Sequence, residues 1–235
     1  MLDNEVEFHN ARVRTEIGGT GRLESVYASM SVALNMPRGM LPNNASKILE
    51  IGSYLGDNST GIGVDTKYIG IDISDEAVDH ANKVFANKNV EFICMDAHKV
   101  TSLGNDFDYV YGNGILHHLD LGIFVPELSK VLKSGSKAVF LEPNVGPPWL
   151  KLFRWLTPWL RSADEHPLVE KDYEFFQKYF KLERLNFGIL CPLVPLIFMN
   201  NRKVIELCQK YDGFLSKTFF GRWSWMTVII MTSRK

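Results

Sequence analysis

The sequence predicts an α/β fold with a doubly wound parallel sheet, and three observations carry that prediction. Short apolar runs at Ile48–Ile51, Tyr68–Ile71, Val90–Cys94, Tyr109–Tyr111 and Lys137–Leu141 alternate with helical patterns. The first run passes directly into a turn with glycines at 52 and 56, where a backbone without Cβ can approach a ligand closely. Acids end the second and third runs, Asp72 and Asp96, at the carboxyl edge where open α/β sheets bind ligands.

Composition sets the frame. A chain of 235 residues with 46% hydrophobic and 23% charged residues has the makings of one large core. The formal charge of -1, without a dense Lys/Arg stripe, argues against nucleic acid as a partner. Cys94, Cys191 and Cys208 form no CxxC pair and have no histidines at metal-ligand spacing, so they read as reduced thiols and no metal site is expected. Residues 1–10 carry three acids and no apolar run, which does not fit a secretory signal. No apolar stretch reaches the roughly 18 residues of a spanning helix. The expectation is a cytoplasmic protein.

In chain order, residues 4–36 read as a helical extension broken at Gly18-Gly19-Thr20-Gly21. Beyond the break Leu23, Val26, Tyr27, Met30 and Leu34 recur at helical spacing. Two compatible readings follow: a helix packed on the sheet, or a lid hinged at the glycines with Arg22 or Tyr27 facing substrate. The stretch from Asp57 to Asp65 is a poor helix because Gly61 and Gly63 oppose it. Ser74 before Asp75 and Glu76 supplies an N-cap and first-turn acids for a helix over Asp75–Phe85. A further helix over Ile123–Leu132 is expected to stop at Lys133-Ser134-Gly135 in a left-handed C-cap. Strands at Lys181–Phe187 and Trp225–Thr232, with a helix at Lys203–Leu215 between them, close the sheet.

An acid where Asp72 stands can accept both hydroxyls of a ribose. Asp96 stands where an adenine amino group would arrive, with a helix N-cap or a solvated loop acid as its other reading. The glycine turn and both acids in register resemble the class I S-adenosylmethionine-dependent methyltransferases over roughly residues 47–145. Glu50-Ile51-Gly52-Ser53-Tyr54-Leu55-Gly56 is similar to their Glu-x-Gly-x-Gly-x-Gly motif, and Asp96-Ala97 to their adenine-contacting pair. Gly112 to Leu119 and Val131 to Ser136 resemble the ubiquinone/menaquinone-methylase-like, small-molecule branch.

The resemblance implies a Rossmann-like methyltransferase fold of seven strands, the last antiparallel beside the fifth, with helical cap insertions. It implies S-adenosyl-L-methionine as cofactor, with Glu50, Gly52, Ser53, Tyr54 and Gly56 around its amino-acid end. Asp72 and Ile73 would meet the ribose, Asp96 and Ala97 the adenine, and Asn113 the transfer site. One methyltransferase domain over 1–235 is expected: a lid at 1–46, a cofactor core at 47–142, and a cap with the closing strands at 143–235.

Tyr54 replaces the family's middle glycine. If that position needs a positive φ, a tyrosine there is strained and its ring must turn away from the ligand or cover it. A non-catalytic, methyltransferase-like binding protein is therefore the alternative function. A nicotinamide fingerprint needs glycines at the first, third and sixth positions, and from Gly52 the latter two are Tyr54 and Asp57.

His117 and His118 follow the fourth strand, where either serves as a general base for a hydroxyl or amine acceptor or merely packs the helix start. Methyl transfer is an in-line displacement at an activated sulfonium, so alignment without a base also suffices. Substrate contacts are expected from Tyr27, Glu142 and His166, the last within Asp164-Glu165-His166-Pro167-Leu168, which resembles a signature of one subgroup. The alternative for that stretch is a helix start. The apolar content of 150–160 and 188–198, broken by Pro192 and Pro195, suits a cap over an apolar or lipid-like small-molecule acceptor. The second reading is a peripheral membrane contact anchored by Trp149, Trp155 and Trp159.

Overall fold

A computed structural model of the chain describes residues 6–7, 10–11, 31–144, 167–190 and 202–235. Helix α1 is Ser31–Gly39, followed by strand β1 at Lys47–Ile51 and strand β2 at Lys67–Asp72. Helix α2, Asp75–Phe85, leads to β3 at Val90–Cys94 and then β4 at Phe107–Asn113. Helix α3, Leu121–Val131, leads directly to β5 at Leu132–Pro143. Helix α4 is Glu170–Phe176, β6 Phe180–Phe187, helix α5 Arg202–Leu215 and β7 Met226–Ser233.

The seven strands form one sheet in the order β3-β2-β1-β4-β5-β7-β6. The first five run parallel, and β7 pairs antiparallel with both β5 and β6. This is the Rossmann-like methyltransferase fold that the motif order predicts.

Alternation along each strand divides the apolar side chains between two cores. Leu49, Ile51, Val110 and Phe140 pack on one face against Phe124, Val125 and Leu128 of α3. Ile48, Tyr68, Tyr109 and Tyr111 pack on the other against Ala33 of α1 and Val78 and Ala81 of α2. Both faces of the central strands are covered, so they read as unbroken apolar runs.

Helix α2 starts as predicted: Ser74 Oγ accepts the Ala77 N–H at 3.1 Å, with Asp75 and Glu76 in the first turn. The expected left-handed stop after α3 is absent. The helix ends at Val131, and Leu132 is already extended and paired with Phe107. Gly135, at φ 71°, instead lies inside β5, where Leu132 pairs with Phe107 but Lys137 with Tyr109, so the extra residues bulge out. Between β1 and β2 only a single 3₁₀ turn forms, at Asp57–Ser59.

The glycine cluster at 18–21, Tyr27, His166, the three tryptophans and the Pro192–Pro195 stretch lie outside the described residues. Among the described residues, no helix is long and apolar enough to cross a membrane, and no three His, Cys, Asp or Glu side chains gather as metal ligands.

Candidate active site

The turn after β1 is wound left-handed at three points: Gly52 (φ 71°), Tyr54 (φ 47°) and Gly56 (φ 86°). The tyrosine in the family's glycine position thus adopts the strained conformation that a glycine would take freely. Two bonds from Gly52 and Ser53 tie the turn to the end of β2, where the Ile71 carbonyl accepts both N–H groups at 2.8 and 2.9 Å. Asp72 continues the tie, since its Oδ2 accepts the Tyr54 N–H and its Oδ1 the Ser74 N–H, each at 2.9 Å. The acid expected at the ribose therefore also holds the strained residue. Ile73 follows it, half-buried.

The two glycines are required for different reasons. A Cβ at Gly56 would stand 2.8 Å from Ala81 Cβ and from the Phe92 ring, so this glycine admits α2 and β3. A Cβ at Gly52 would meet only the flexible end of Ile115, at 3.3 Å, so there the backbone conformation decides.

Glu50 lies beneath the turn and is 1% exposed. Tyr68 donates its hydroxyl to Oε2, and Asn58 donates its amide to Oε1 at 2.6 Å. Burial pushes the carboxyl up from 4.5 to about 7, against the pull of those hydrogen bonds. Glu50 was expected at the cofactor's amino-acid end. Its two oxygens hold β2 and the 57–59 turn beneath the cradle.

Helix α1 crosses the same region. Arg38 donates from Nε to the Asn58 carbonyl at 2.7 Å and from its guanidinium to the Thr60 carbonyl. Tyr109 donates to the Pro37 carbonyl at 2.5 Å, and Asn113 Nδ2 to the Leu34 carbonyl at 3.3 Å. Ser53 Oγ and Asn113 Oδ1 are buried without a hydrogen-bond partner among the described residues, while the Tyr111 hydroxyl is buried within hydrogen-bonding reach of Glu50 and Tyr68. Ser53 and Asn113 stand at the carboxyl ends of the paired strands β1 and β4. Buried polar groups in this state suit a polar ligand.

After β4 a 3₁₀ turn over Leu116–His118 carries the two histidines. Glu142 at the end of β5 is fully buried and organises this turn. Its Oε1 accepts the N–H groups of Ile115 and Leu116 at 2.9 and 2.8 Å, and its Oε2 lies 2.6 Å from His117 Nδ1. Glu142 thereby fixes the orientation of the His117 ring through Nδ1. Expected on substrate, Glu142 has both oxygens engaged by this turn. The two histidine rings lie 4.1 Å apart.

Asp96 caps the 3₁₀ helix Ala97–Leu103, accepting the His98 N–H at 2.9 Å, which is its alternative reading realised. Its Oδ1 also meets His98 Nδ1 at 2.6 Å, while His98 Nε2 accepts the Asp120 N–H at 3.0 Å. With Nε2 accepting, the ring is held between Asp120 and Asp96. Ala97 is buried beside it.

Sequence reasoning missed Tyr68, Tyr111, Asn58, Arg38 and His98. The period-two spacing of Tyr109, Tyr111 and Asn113 on β4 was the available signal, because it puts all three on one face.

Residues 49–140 match a family described as a methyltransferase domain. Over that stretch the chain is similar to this family, and it is an enzyme of the methyltransferase class with S-adenosylmethionine as its cofactor. The sequence matches none of the curated proteins compared with it. Solved structures share the fold. An S-adenosylmethionine-dependent methyltransferase from Archaeoglobus fulgidus is 17% identical, with 87% of this chain and 94% of that one aligned at a TM-score of 0.60. Phosphoethanolamine N-methyltransferase 2 from Haemonchus contortus, in complex with S-adenosyl-L-methionine, is 16% identical over 89% of this chain and 53% of its own, at 0.58. A cyclopropane synthase from Mycobacterium tuberculosis is 15% identical over 86% and 82%, at 0.56.

Proposed function

We propose that this methyltransferase acts on a small, apolar or lipid-like acceptor, of the kind handled by the ubiquinone/menaquinone-methylase-like branch. The observation that carries the catalytic reading is the juxtaposition, at the ends of adjacent strands, of a left-handed cradle tied to Asp72 and a histidine turn tied to Glu142. When bound, S-adenosylmethionine supplies a methyl group activated by a positive sulfonium.

The orphaned Ser53 Oγ and Asn113 Oδ1 fit a polar cofactor at this edge. In this reading Glu50, Gly52, Ser53, Tyr54 and Gly56 surround its amino-acid end, Asp72 and Ile73 the ribose, and Asp96 with Ala97 the adenine. His117 Nε2 takes the proton from a hydroxyl or amine acceptor, and Glu142 stabilises the imidazolium that results. An acceptor carbon needs a different proton path. The fold is shared by a cyclopropane synthase and an N-methyltransferase, so it leaves the acceptor atom open. The reading keeps one domain, a small-molecule acceptor, no nucleic acid and a cytoplasmic setting. A peripheral membrane contact through the apolar cap belongs to it, as do Tyr27 and His166 as substrate contacts.

The positive φ of Tyr54 favours one second reading, a methyltransferase-like binding protein whose cradle no longer admits the cofactor. Calorimetric titration with S-adenosylmethionine and S-adenosylhomocysteine, with NAD as control, separates the two. Binding of the first two and not the third supports the enzyme. No binding, restored by Tyr54→Gly, supports the second reading.

A further inference from the structure

Helix α5 packs one face on the molecule, with Val204, Ile205 and Cys208 half-buried and Asp212 buried against the Leu190 N–H at 2.7 Å. Its other face is not a polar one. Leu207, Tyr211 and Phe214, four and three residues apart, form a single stripe and are 54%, 55% and 68% exposed. The 3₁₀ turn that follows, Phe219–Trp223, adds Phe219 and Phe220 at 65% and 43%. Five large apolar side chains within fourteen residues are more than the scattered exposure of an ordinary surface.

The charges beside the stripe are mostly positive. Lys203, Lys210 and Lys217 are exposed at seven-residue intervals along the stripe, and the exposed Arg222 lays its guanidinium 3.5 Å from the Phe219 ring centre. Among the described residues, these four cations are joined on the exposed face by one acid, Glu206, a local surplus of three positive charges (4 − 1) in a chain whose net charge is -1.

We propose that this face docks on the surface of an anionic lipid bilayer. The helix would lie in the interface plane, with Leu207, Tyr211, Phe214 and the Phe219–Phe220 pair among the acyl boundary and the cations at headgroup level. Nucleic acid fits less well, because the centre of the patch is aliphatic and aromatic while its charge sits at the edge. The surface belongs to α5 and the turn after it. It stands whether or not the acceptor is a lipid.

Flotation of the full chain with phosphatidylcholine vesicles, with and without phosphatidylglycerol, tests the proposal. Binding should appear with phosphatidylglycerol and weaken as salt rises. The double variant Phe214→Ser/Phe219→Ser should reduce partitioning by roughly tenfold or more, because both rings leave the interface. Lys210→Glu/Lys217→Glu should remove the preference for phosphatidylglycerol. All four residues are exposed, and unchanged S-adenosylmethionine binding by the variants shows that the fold and the cofactor reading are intact. No flotation with either vesicle overturns the proposal. So does flotation that the serine variant retains, or concentration-dependent self-association that the serine variant abolishes, which would assign the face to a second copy of the chain.

Discussion

Tyr54 is the residue on which the cradle turns. A side chain with Cβ at φ 47° is held against its preference, and the Asp72 carboxylate on its N–H is the visible restraint. The cost is separable from the loss of the ring by comparing two truncations. Tyr54→Gly should be more stable than Tyr54→Ala by about 1 kcal/mol, because glycine alone is at ease at positive φ. Chemical denaturation of the two variants measures this difference. Equal stabilities would mean that the turn relaxes out of the left-handed region once the ring is gone. On the proposed cofactor reading Asp72 carries two tasks, and its replacement by alanine loosens the turn as well as removing a ribose acceptor.

At the scale of elements, the active-site edge is assembled by side chains that cross from one element to the next. Glu142 of β5 holds the turn after β4 through two backbone N–H groups and His117. Substituting Glu142→Ala leaves two backbone N–H groups and His117 Nδ1 without their partner, and should cost about 2–4 kcal/mol of stability by denaturant unfolding. It should also lower turnover by misaligning His117. Stability equal to that of the parent would show that the turn is held by packing alone. Arg38 plays the matching part for α1, clamping the carbonyls of Asn58 and Thr60 while Tyr109 and Asn113 of β4 reach the carbonyls of the same helix. The segment preceding the sheet is thereby coupled to the cradle by hydrogen bonds to its main chain, which no residue pattern in that helix announces.

At the scale of the whole molecule, Glu50 links β1, β2 and the 57–59 turn, and its ionisation bears on global stability. Its folded value of about 7 lies above its ordinary 4.5, so the folded chain keeps a proton that the unfolded chain releases. Stability conferred by the protonated form is complete below about 4.5, declines as pH rises, and is fully lost above about 7. Glu50→Gln cannot ionise, and its stability relative to the parent should rise across that window in denaturation curves taken at a series of pH values. Parallel curves for the two proteins would sink this assignment. The sequence alone determined the sheet, because alternating apolar runs and turn residues are local signals, and it determined the cradle, because glycines and strand-end acids are legible from spacing. It also marked Tyr54 as the place of strain. Only tertiary structure decided that Glu50 and Glu142 face the protein's own turns, that Asp96 bonds His98, and that Gly135 serves a bulge and not a helix end. The physical reason is that a carboxylate's partners are set by whatever neighbouring strands and helices bring within 3 Å or so, and those pairings join residues far apart in the chain.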